Sequence, residues 1–298
     1  MKLDPRHLAQ LSAIVEAGSF QLASEWLGLT QSALSRNMKS LEERLGAPLF
    51  QRDGRRSEPN GIALRLAKNG LAIRMAEEQA SGHAVNIASG HVGELRLGAP
   101  PIVAGRYLSD VLAKFINEHP GCTVELRSGL VSELRALLER GKIDLIIAPH
   151  SLAEHSEGLT SHPLTDDRVG ILCRTGHRLS AKKKINIRDL EAESWLAHSR
   201  GSLLRQQTEA AMVASGVRQI QILCETDSIR SALEIVAATD LITTMPIETT
   251  KPYLEDRLTF LPFKHPQLSR PLSAIQLTDI PLNPITSKFL GELRDPAK

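Results

Sequence analysis

The chain has 298 residues, of which 42% are hydrophobic and 23% charged, with a formal net charge of +2. This is the composition of a folded globular protein and argues against a disordered chain or a fibre. The length is sufficient for two domains, or for three if one is small. No stretch reaches the roughly 20 apolar residues of a membrane span, and residues 1–7 lack the apolar centre of a signal peptide. We therefore expect no membrane partner and a cytoplasmic location.

The first three predicted elements are helices separated by short capped turns. Residues 4–17 carry apolar side chains at helical intervals behind Pro5, and Ser19 is a suitable N-cap for a short second helix. A tight turn, Gly28-Leu29-Thr30, leads into a longer helix that Thr30 caps and Gly46 ends. Two helices joined by a short glycine-containing turn are typical of the helix-turn-helix, whose second helix enters the DNA major groove.

The third helix has two different faces. Leu34, Met38, Leu41 and Leu45 form a narrow apolar stripe, and the opposite side is polar. Residues 48–56 after it read as a strand, a turn and a basic return, which together make a wing suited to phosphate contact. Taken alone, the helix could also be an ordinary amphipathic helix. The predicted DNA-binding residues are Thr30, Gln31, Ser32, Ser35, Arg36, Lys39, Arg52, Arg55 and Arg56.

The segment from Ser19 to Arg56 resembles the N-terminal winged helix-turn-helix of the LysR-type transcriptional regulators. The matching residues are Gly18-Ser19-Phe20, Ala23, Leu27, the run from Thr30 to Arg36, Leu41-Glu42, Leu45-Gly46 and the run from Leu49 to Arg52. The sequence departs from the family after the wing, where Pro59-Asn60-Gly61-Ile62-Ala63 replaces the usual Leu-Thr-x-Ala-Gly segment. The resemblance implies a DNA-binding regulator that responds to a small-molecule effector and is not an enzyme.

A long alanine-rich helix is predicted after the wing, from Ile62 to about Ala88. Its seam has a period of about 3.5, which is typical of a helix that pairs with another helix. The seam consists of Ile62, Leu66, Ile73, Ala76, Ala80, Ala84 and Ile87. We expect it to pair two subunits, as the resemblance also implies, although the helix could instead fold back on its own domain. Gly70, Gly82 and Gly90 could act as hinges.

The remainder of the chain alternates strand and helix, which predicts α/β architecture with parallel pairing. Two such units, joined near residues 163–167 and 262–266, resemble the periplasmic-binding-protein-like effector domain of the same family. The predicted fold class is α/β, with an N-terminal, mainly α-helical winged helix-turn-helix and a long linker helix. The predicted domains are a DNA-binding domain (1–60), a linker helix (61–91) and an effector domain (92–298), whose lobe 1 is about 92–163 with 267–298 and lobe 2 about 164–266.

The effector is expected between the lobes, where the loops after the strands and the helix N-termini meet. Pro100 departs from the family, which often has an effector-binding serine or threonine there. Arg200 precedes a helix that begins near Ser202, which favours a carboxylate or another small polar metabolite, although Arg200 could equally be a solvated loop residue. The predicted ligand-binding residues are Pro101, Ser128, Ser199, Arg200, Gly201, Ser202 and Thr226.

Other readings of the sequence remain open at this point. Cys122, Cys173 and Cys224 are interpreted as buried free thiols, with a redox-sensing pair as the alternative. His150 and His155 are a conceivable metal pair, but no metal or cofactor is predicted. An α/β enzyme and an architectural DNA-binding protein are rival functions, and the common catalytic motifs are absent from the sequence. The expected partners are double-stranded DNA, the effector and a second copy of the chain, with a homotetramer and RNA polymerase contact also implied by the resemblance.

Overall fold

A computed structural model of the chain describes residues 2–53, 56–89, 93–154, 156–217 and 220–294. The chain divides into two compact units, Met1–Gly93 and Glu94–Lys298. The helices are α1 Pro5–Ala17, α2 Phe20–Trp26, α3 Gln31–Leu45, α4 Gly61–Ser89, α5 Pro101–Ala104, α6 Arg106–Glu118, α7 Val131–Glu139, α8 Ser151–Glu154, α9 Ile187–Glu191, α10 Leu203–Ala214, α11 Ile229–Ala238, α12 Ile247–Thr250 and α13 Pro284–Arg294. The strands are β1 Phe50–Asp53, β2 Arg56–Pro59, β3 Gly93–Ala99, β4 Cys122–Ser128, β5 Leu145–Pro149, β6 Leu159–Thr165, β7 Val169–Arg174, β8 Ser194–Ala197, β9 Gln221–Glu225, β10 Thr243–Pro246, β11 Leu258–Phe260 and β12 Leu272–Leu277.

Local capping fixes the ends of the first three helices, as the sequence predicted. The Ser19 hydroxyl accepts a hydrogen bond from the Leu22 amide at 3.1 Å, and that of Thr30 accepts one from Ala33 at 3.2 Å. Helix α3 ends at Gly46, whose φ of 68° lies in the left-handed region that favours glycine. The apolar stripe of α3 is buried against α1 in one core. Strands β1 and β2 pair antiparallel after it, as the wing requires.

The start of α4 shows how this chain replaces the family's usual segment. Asn60 caps the helix, because its Oδ1 accepts hydrogen bonds from the amides of Ile62 and Ala63 at 2.9 and 3.0 Å. Its Nδ2 donates to the Pro48 carbonyl at 2.7 Å, which ties the helix start to the residues before the wing. One asparagine therefore sets both where the helix begins and how it follows the wing.

Helix α4 packs against α1 of its own chain along part of the predicted pairing seam. Leu66 and Ile73 are partly buried against the core of the N-terminal unit, together with the fully buried Ala63. Gly70 is a packing position and not a hinge, since a Cβ there would lie 1.9 Å from the carbonyl oxygen of Leu8. The predicted hinge Gly90 and the side chains of Ala84 and Ile87 lie outside the described residues.

Lobe 1 is a five-stranded sheet with helices on both faces. The strand order is β4-β3-β5-β12-β6, with β3 and β5 parallel and β12 antiparallel to both of its neighbours. Side chains from α6 and α13 pack on one face, and those from α7 pack on the other. The sequence predicted the α/β layer correctly but missed β6 and the antiparallel return of β12.

Lobe 2 is built from two smaller sheets. Strand β7 lies between β10 and β11 and is antiparallel to both, while β8 and β9 pair in parallel. Helix α10 packs in one core with β7 and β8, and α11 packs in a second core. The predicted parallel pairing holds for β8 and β9 but is wrong for β7, and the short strand β11 and helices α9 and α12 were not predicted.

The two lobes are joined by a pair of hydrogen-bonded crossings. The first crossing runs from Asp166 to Arg168 and the second from Ser269 to Pro271, and the Arg270 amide donates to the Asp167 carbonyl at 2.7 Å. The second crossing lies a few residues beyond the predicted 262–266. Leu268 still belongs to the core of lobe 2, and Leu272 is the first residue after the crossing that belongs to the core of lobe 1.

Two further sequence predictions concern cysteines and membranes. The three cysteines are free thiols in β4, β7 and β9, packed in or against three different cores. Cys173 is buried, as predicted, whereas Cys122 and Cys224 are only partly buried. Burial raises the pKa of Cys173 to about 11, so this thiol is protonated at neutral pH. Among the described helices, none is long and apolar enough to cross a bilayer.

Candidate functional site

The second crossing between the lobes places an arginine in the interior. Arg270 lies between a short 3₁₀ helix, Pro266–Leu268, at the end of lobe 2 and the first residue of β12, and only 6% of its surface is exposed. Its Nη1 donates to the Oε1 of Gln207 on α10 at 3.0 Å. The Nε of Arg270 is buried without a hydrogen-bond partner in the described part of the chain.

A second buried arginine, Arg205 in lobe 2, differs from Arg270 because carboxylates satisfy its guanidinium. Arg205 on α10 donates to Glu209 at 2.7 Å, to Glu225 at 2.5 Å and to the His198 carbonyl at 3.0 Å. Among the described residues, by contrast, no carboxylate oxygen lies within 4.0 Å of the Arg270 guanidinium. Burial lowers the pKa of Arg270 to about 10, and the field of Asp167 opposes this only in part. Arg270 is therefore a buried cation that lacks a matching anion.

Arg270 lines a cavity of about 300 Å³ between the lobes. This volume is at the lower end of the range for small-molecule sites. Lobe 1 contributes Pro100, Pro101, Ile102, Gly129, Leu130, Val131 and Glu133, and lobe 2 contributes His198, Ser202, Leu203, Leu204, Asp227 and Ile229.

Several helices begin at this cavity. Leu130 and Val131 lie at the start of α7, Ser202 and Leu203 at that of α10, and Ile229 at that of α11. Ser202 makes no side-chain cap, and no partner is present in the described residues for the first amide groups of α10. Exposed N–H groups and the helix dipole make such an end attractive to an anion. Helix α5 offers less, because it begins with Pro100 and Pro101, which have no N–H.

The sequence predicted the location of the cavity better than the side chains that line it. Pro101 and Ser202 line it, whereas the other five predicted residues do not. Arg200 and Ser128 are both exposed, Ser128 at the end of β4. A Cβ on Gly201 would lie 3.0 Å from Cδ1 of Leu130. The Thr226 hydroxyl accepts from the Ser228 amide at 3.1 Å, and the buried Ser199 hydroxyl has no partner in the described region.

His198, Glu133 and Asp227 were missed, although each adjoins or lies close to a predicted residue. His198 is 5% exposed and its Nε2 lies 3.4 Å from the Thr244 carbonyl. Burial lowers the pKa of His198, so the ring is neutral at physiological pH and, donating from Nε2, leaves Nδ1 as an acceptor. Asp227 and Glu133 bring two carboxylates to the cavity.

A larger cavity of about 520 Å³ lies beside the same crossings, but none of its described lining residues has a buried side-chain N or O atom without a hydrogen-bond partner. It is lined by Asp167, Glu248 and Lys264 among others. The buried Asp167 carboxylate accepts hydrogen bonds from the amides of Arg168, Glu248 and Thr249 at 2.7, 3.0 and 3.3 Å. The hydrogen bonds of this carboxylate are satisfied inside the fold, whereas the smaller cavity is lined by Arg270, whose buried Nε has no partner in the described residues.

His150, one half of the conceivable metal pair, is already engaged within lobe 1. Its Nδ1 lies 3.0 Å from the Ser273 hydroxyl. The other half, His155, lies outside the described residues. The structure therefore offers no support for this pair.

The predicted DNA-binding face is present on α3. Its buried side carries Leu34, Met38 and Leu41, and the opposite side is exposed. The exposed predicted residues are Thr30, Gln31, Ser32, Ser35, Arg36 and Lys39. Arg55 of the wing lies outside the described residues, as do the side chains of Arg52 and Arg56. A polar face with two cations, held on a capped helix beside a β-hairpin, has the shape and charge to enter a major groove.

Comparison with known proteins agrees with both halves of this description. Residues 5–64 match the family model of bacterial regulatory helix-turn-helix proteins of the lysR family, and residues 88–298 match that of the LysR substrate binding domain. The regulatory protein NocR of Agrobacterium fabrum is 32% identical over 215 residues, which cover 72% of this chain and 71% of NocR. The transcriptional regulator GbpR of Azospirillum brasilense is 26% identical over 297 residues, covering 98% of this chain and 86% of GbpR.

The same fold occurs in a crystal structure of full-length CbnR complexed with its target DNA. It superimposes with a TM-score of 0.58 at 20% identity and covers 98% of this chain and 99% of CbnR. With the two matching family models, the capped helix-turn-helix and the two-lobed α/β unit, the chain belongs to the LysR family of DNA-binding transcriptional regulators with a C-terminal effector-binding domain.

Proposed function

We propose that this regulator is controlled by a small carboxylate-containing metabolite that binds in the 300 Å³ cavity and pairs with Arg270. The observation that carries the proposal is a buried guanidinium with one hydrogen bond, to Gln207, and no anion within 4.0 Å in the described part of the chain. A carboxylate can take two N–H donors of an arginine at once, which makes it a natural partner for the unused donors. The first turn of α10 would add amide donors on the same side of the cavity.

A ligand between the lobes would act by favouring one arrangement of the lobes over another. Its effect is limited to the difference in its affinity for the two states. Arg270 lies on a crossing, so contact with it ties the ligand to the segment that any lobe movement must involve. This gives a physical route from ligand to change in the effector unit.

On DNA, we infer that Arg36 and its neighbours on α3 contact base edges while the wing arginines contact phosphates. The exposure of Arg36 and Lys39 and the burial of the opposite face support this assignment. We further propose that two copies pair through α4 and that dimers associate into tetramers, so that two heads engage one operator in the cytoplasm. We also propose that the protein contacts RNA polymerase and catalyses no reaction.

The proposal is tested by ligand binding to matched arginine variants of the full chain. Purified protein is screened by its melting temperature against small carboxylates, free amino acids among them, and any hit is measured by calorimetry. Arg270→Gln is expected to weaken the hit at least about tenfold, the loss expected for a charge-assisted pair. Arg200→Gln removes the same charge from an exposed loop position beside α10 and serves as the control.

An unchanged affinity in Arg270→Gln, or a loss confined to Arg200→Gln, would contradict the cavity assignment. Operator binding by both variants without ligand should equal that of the wild type, because both substitutions lie in the C-terminal unit and leave the DNA-binding residues unchanged.

A further inference from the structure

The cavity that holds Arg270 also carries two carboxylates from opposite lobes. Glu133 belongs to α7 of lobe 1, and Asp227 lies just before α11 of lobe 2. Neither has a cationic partner within 4.0 Å in the described part of the chain. Both acids are exposed to solvent, so the site combines one buried cation with two unpaired surface acids.

Each acid is held in place by one of its oxygens. Oδ1 of Asp227 accepts a hydrogen bond from the Ser199 amide at 3.1 Å, and Oε2 of Glu133 accepts one from the Leu130 amide at 2.9 Å. Oδ2 of Asp227 and Oε1 of Glu133 have no bond to the described residues. Both side chains are thus oriented by the backbone, with an acceptor left over.

This charge pattern discriminates between classes of ligand. A simple anion would gain from Arg270 but meet the repulsion of two carboxylates, and a simple cation would meet the opposite conflict. A molecule with both charges can satisfy both ends. Ile102, Leu130 and Ile229 line the same space and offer an apolar wall to a short side chain.

We propose that the effector is zwitterionic: a free amino acid, or a similarly small metabolite, whose carboxylate pairs with Arg270 and whose ammonium group lies between Asp227 and Glu133. This inference rests on the proposed function, since it assumes that the effector occupies this cavity. The ammonium group would meet one acid from each lobe and would thereby favour the arrangement in which the two lobes lie close together.

The first experiment compares matched compounds against the wild-type full chain. Its probes are the twenty common L-amino acids, β-alanine and γ-aminobutyrate, each with the analogue that has hydroxyl in place of the amino group and the amine that lacks the carboxylate. At least one amino acid is expected to raise the melting temperature, while both of its analogues at equal concentration do not. Equal stabilisation by the hydroxy acid overturns the inference, as does the absence of any stabilising amino acid.

The second experiment removes the acids one at a time. Asp227→Asn and Glu133→Gln keep an oxygen for the Ser199 and Leu130 amides and lose only the charge. Each should weaken binding of the amino acid severalfold, the loss expected for an exposed ion pair, and leave its hydroxy analogue bound no more weakly than before. Asp279→Asn, at an exposed position outside the cavity, is the control.

Different results would contradict the carboxylate site and the zwitterionic ligand. If hydroxy acids and amino acids bind alike, and both require Arg270, the carboxylate site stands and the zwitterion is wrong. If Arg270→Gln binds the ligand as tightly as the wild type, the cavity assignment itself is wrong, regardless of the affinities of Asp227→Asn and Glu133→Gln.

Discussion

Gln207 orients Arg270 from the opposite side of the crossing. Its Nε2 donates to the carbonyls of Gln267 and Ser269 at 2.8 and 2.6 Å, which leaves its Oε1 to accept from Nη1 of Arg270 at 3.0 Å. Because both donors of the amide are used on the crossing segment, the amide cannot turn over without losing them. Gln207 is therefore a positioning residue that fixes where the guanidinium lies before any ligand arrives.

The first prediction is that Arg270→Gln abolishes ligand binding without lowering the stability of the unliganded protein. Burying this charge without an anion costs about 3 kcal/mol, because burial lowers the pKa of Arg270 to about 10 and each pKa unit corresponds to about 1.4 kcal/mol. We expect the unliganded variant to unfold at the same or a higher temperature than the wild type, while it no longer responds to the ligand. A clear loss of stability in calorimetry would mean that Arg270 has a structural role instead.

The second prediction concerns pH and His198. Burial lowers its pKa below the usual 6.5, and neither the Thr244 carbonyl nor Asp227 reverses this. As pH falls below about 6.5, His198 is therefore protonated in the unfolded chain but still neutral in the folded chain. The free energy of unfolding decreases over this range until the pH reaches the lowered pKa of the folded state. His198 alone changes the free energy of unfolding by at most about 1.4 kcal/mol per pH unit.

His198→Gln removes the titrating group, so its free energy of unfolding should fall less steeply than that of the wild type. Urea unfolding at pH 7.5, 6.5 and 5.5 provides the measurement. Parallel pH curves for the two proteins would contradict the prediction.

The third prediction separates a packing glycine from a merely exposed one in α4. A methyl group at Gly70 would lie 1.9 Å from the Leu8 carbonyl oxygen, whereas at Gly82 it would meet nothing within 4 Å. Gly70→Ala should destabilise the N-terminal unit by about 1–3 kcal/mol, because α1 and α4 must move apart. Gly82→Ala should stabilise the helix by up to about 1 kcal/mol. Thermal unfolding that ranked the two variants equally would show that the helices do not cross this closely.

The contrast between Gly46 and Gly70 shows where sequence reasoning works. Gly46 ends α3 through a local backbone conformation, and the capping pattern around it predicts that ending directly. Gly70 is explained by a contact with a residue 62 positions earlier in the chain, which no local pattern contains. The sequence therefore suggested a hinge where the structure has a close crossing.

Arg270 was missed for the same reason. In the sequence it stands alone between Ser269 and Pro271, ahead of a buried strand, and resembles a loop residue. Its partners on the cavity come from positions near 100, 130, 200 and 227, and only the return of β12 into lobe 1 brings them together. The loops that form the cavity could be predicted from strand order, but the side chains that reach it could not.

The fourth prediction concerns self-association through α4. Leu64 is 47% exposed on this helix, whereas Leu66 packs into the core of its own unit. Leu64→Glu should weaken the dimer and leave the monomer folded, because a charge would be buried only in the paired state. Asn69→Glu adds the same charge at an exposed polar position of α4 and is the control. Light scattering that found Leu64→Glu fully dimeric at micromolar concentration would argue for another pairing surface.

The last prediction concerns base recognition by α3. Arg36 is exposed, and its only bond in the described structure is from Nε to the Ser32 carbonyl at 3.4 Å, so its guanidinium remains available to a base edge. A good bidentate contact to guanine contributes about 1–3 kcal/mol, and Arg36→Ala should cost this much on the operator and less on unrelated duplexes at the same salt concentration.

Lys114→Ala removes an equal charge from the C-terminal unit and provides the control for the change in net charge. Binding is measured by fluorescence anisotropy on both duplexes over a range of salt concentrations, so that the electrostatic and sequence-specific parts separate. If Arg36→Ala weakened both duplexes by the same factor, Arg36 would contact phosphate and the reading of bases would belong to other residues of α3. If it weakened neither, α3 would not be the helix in the groove.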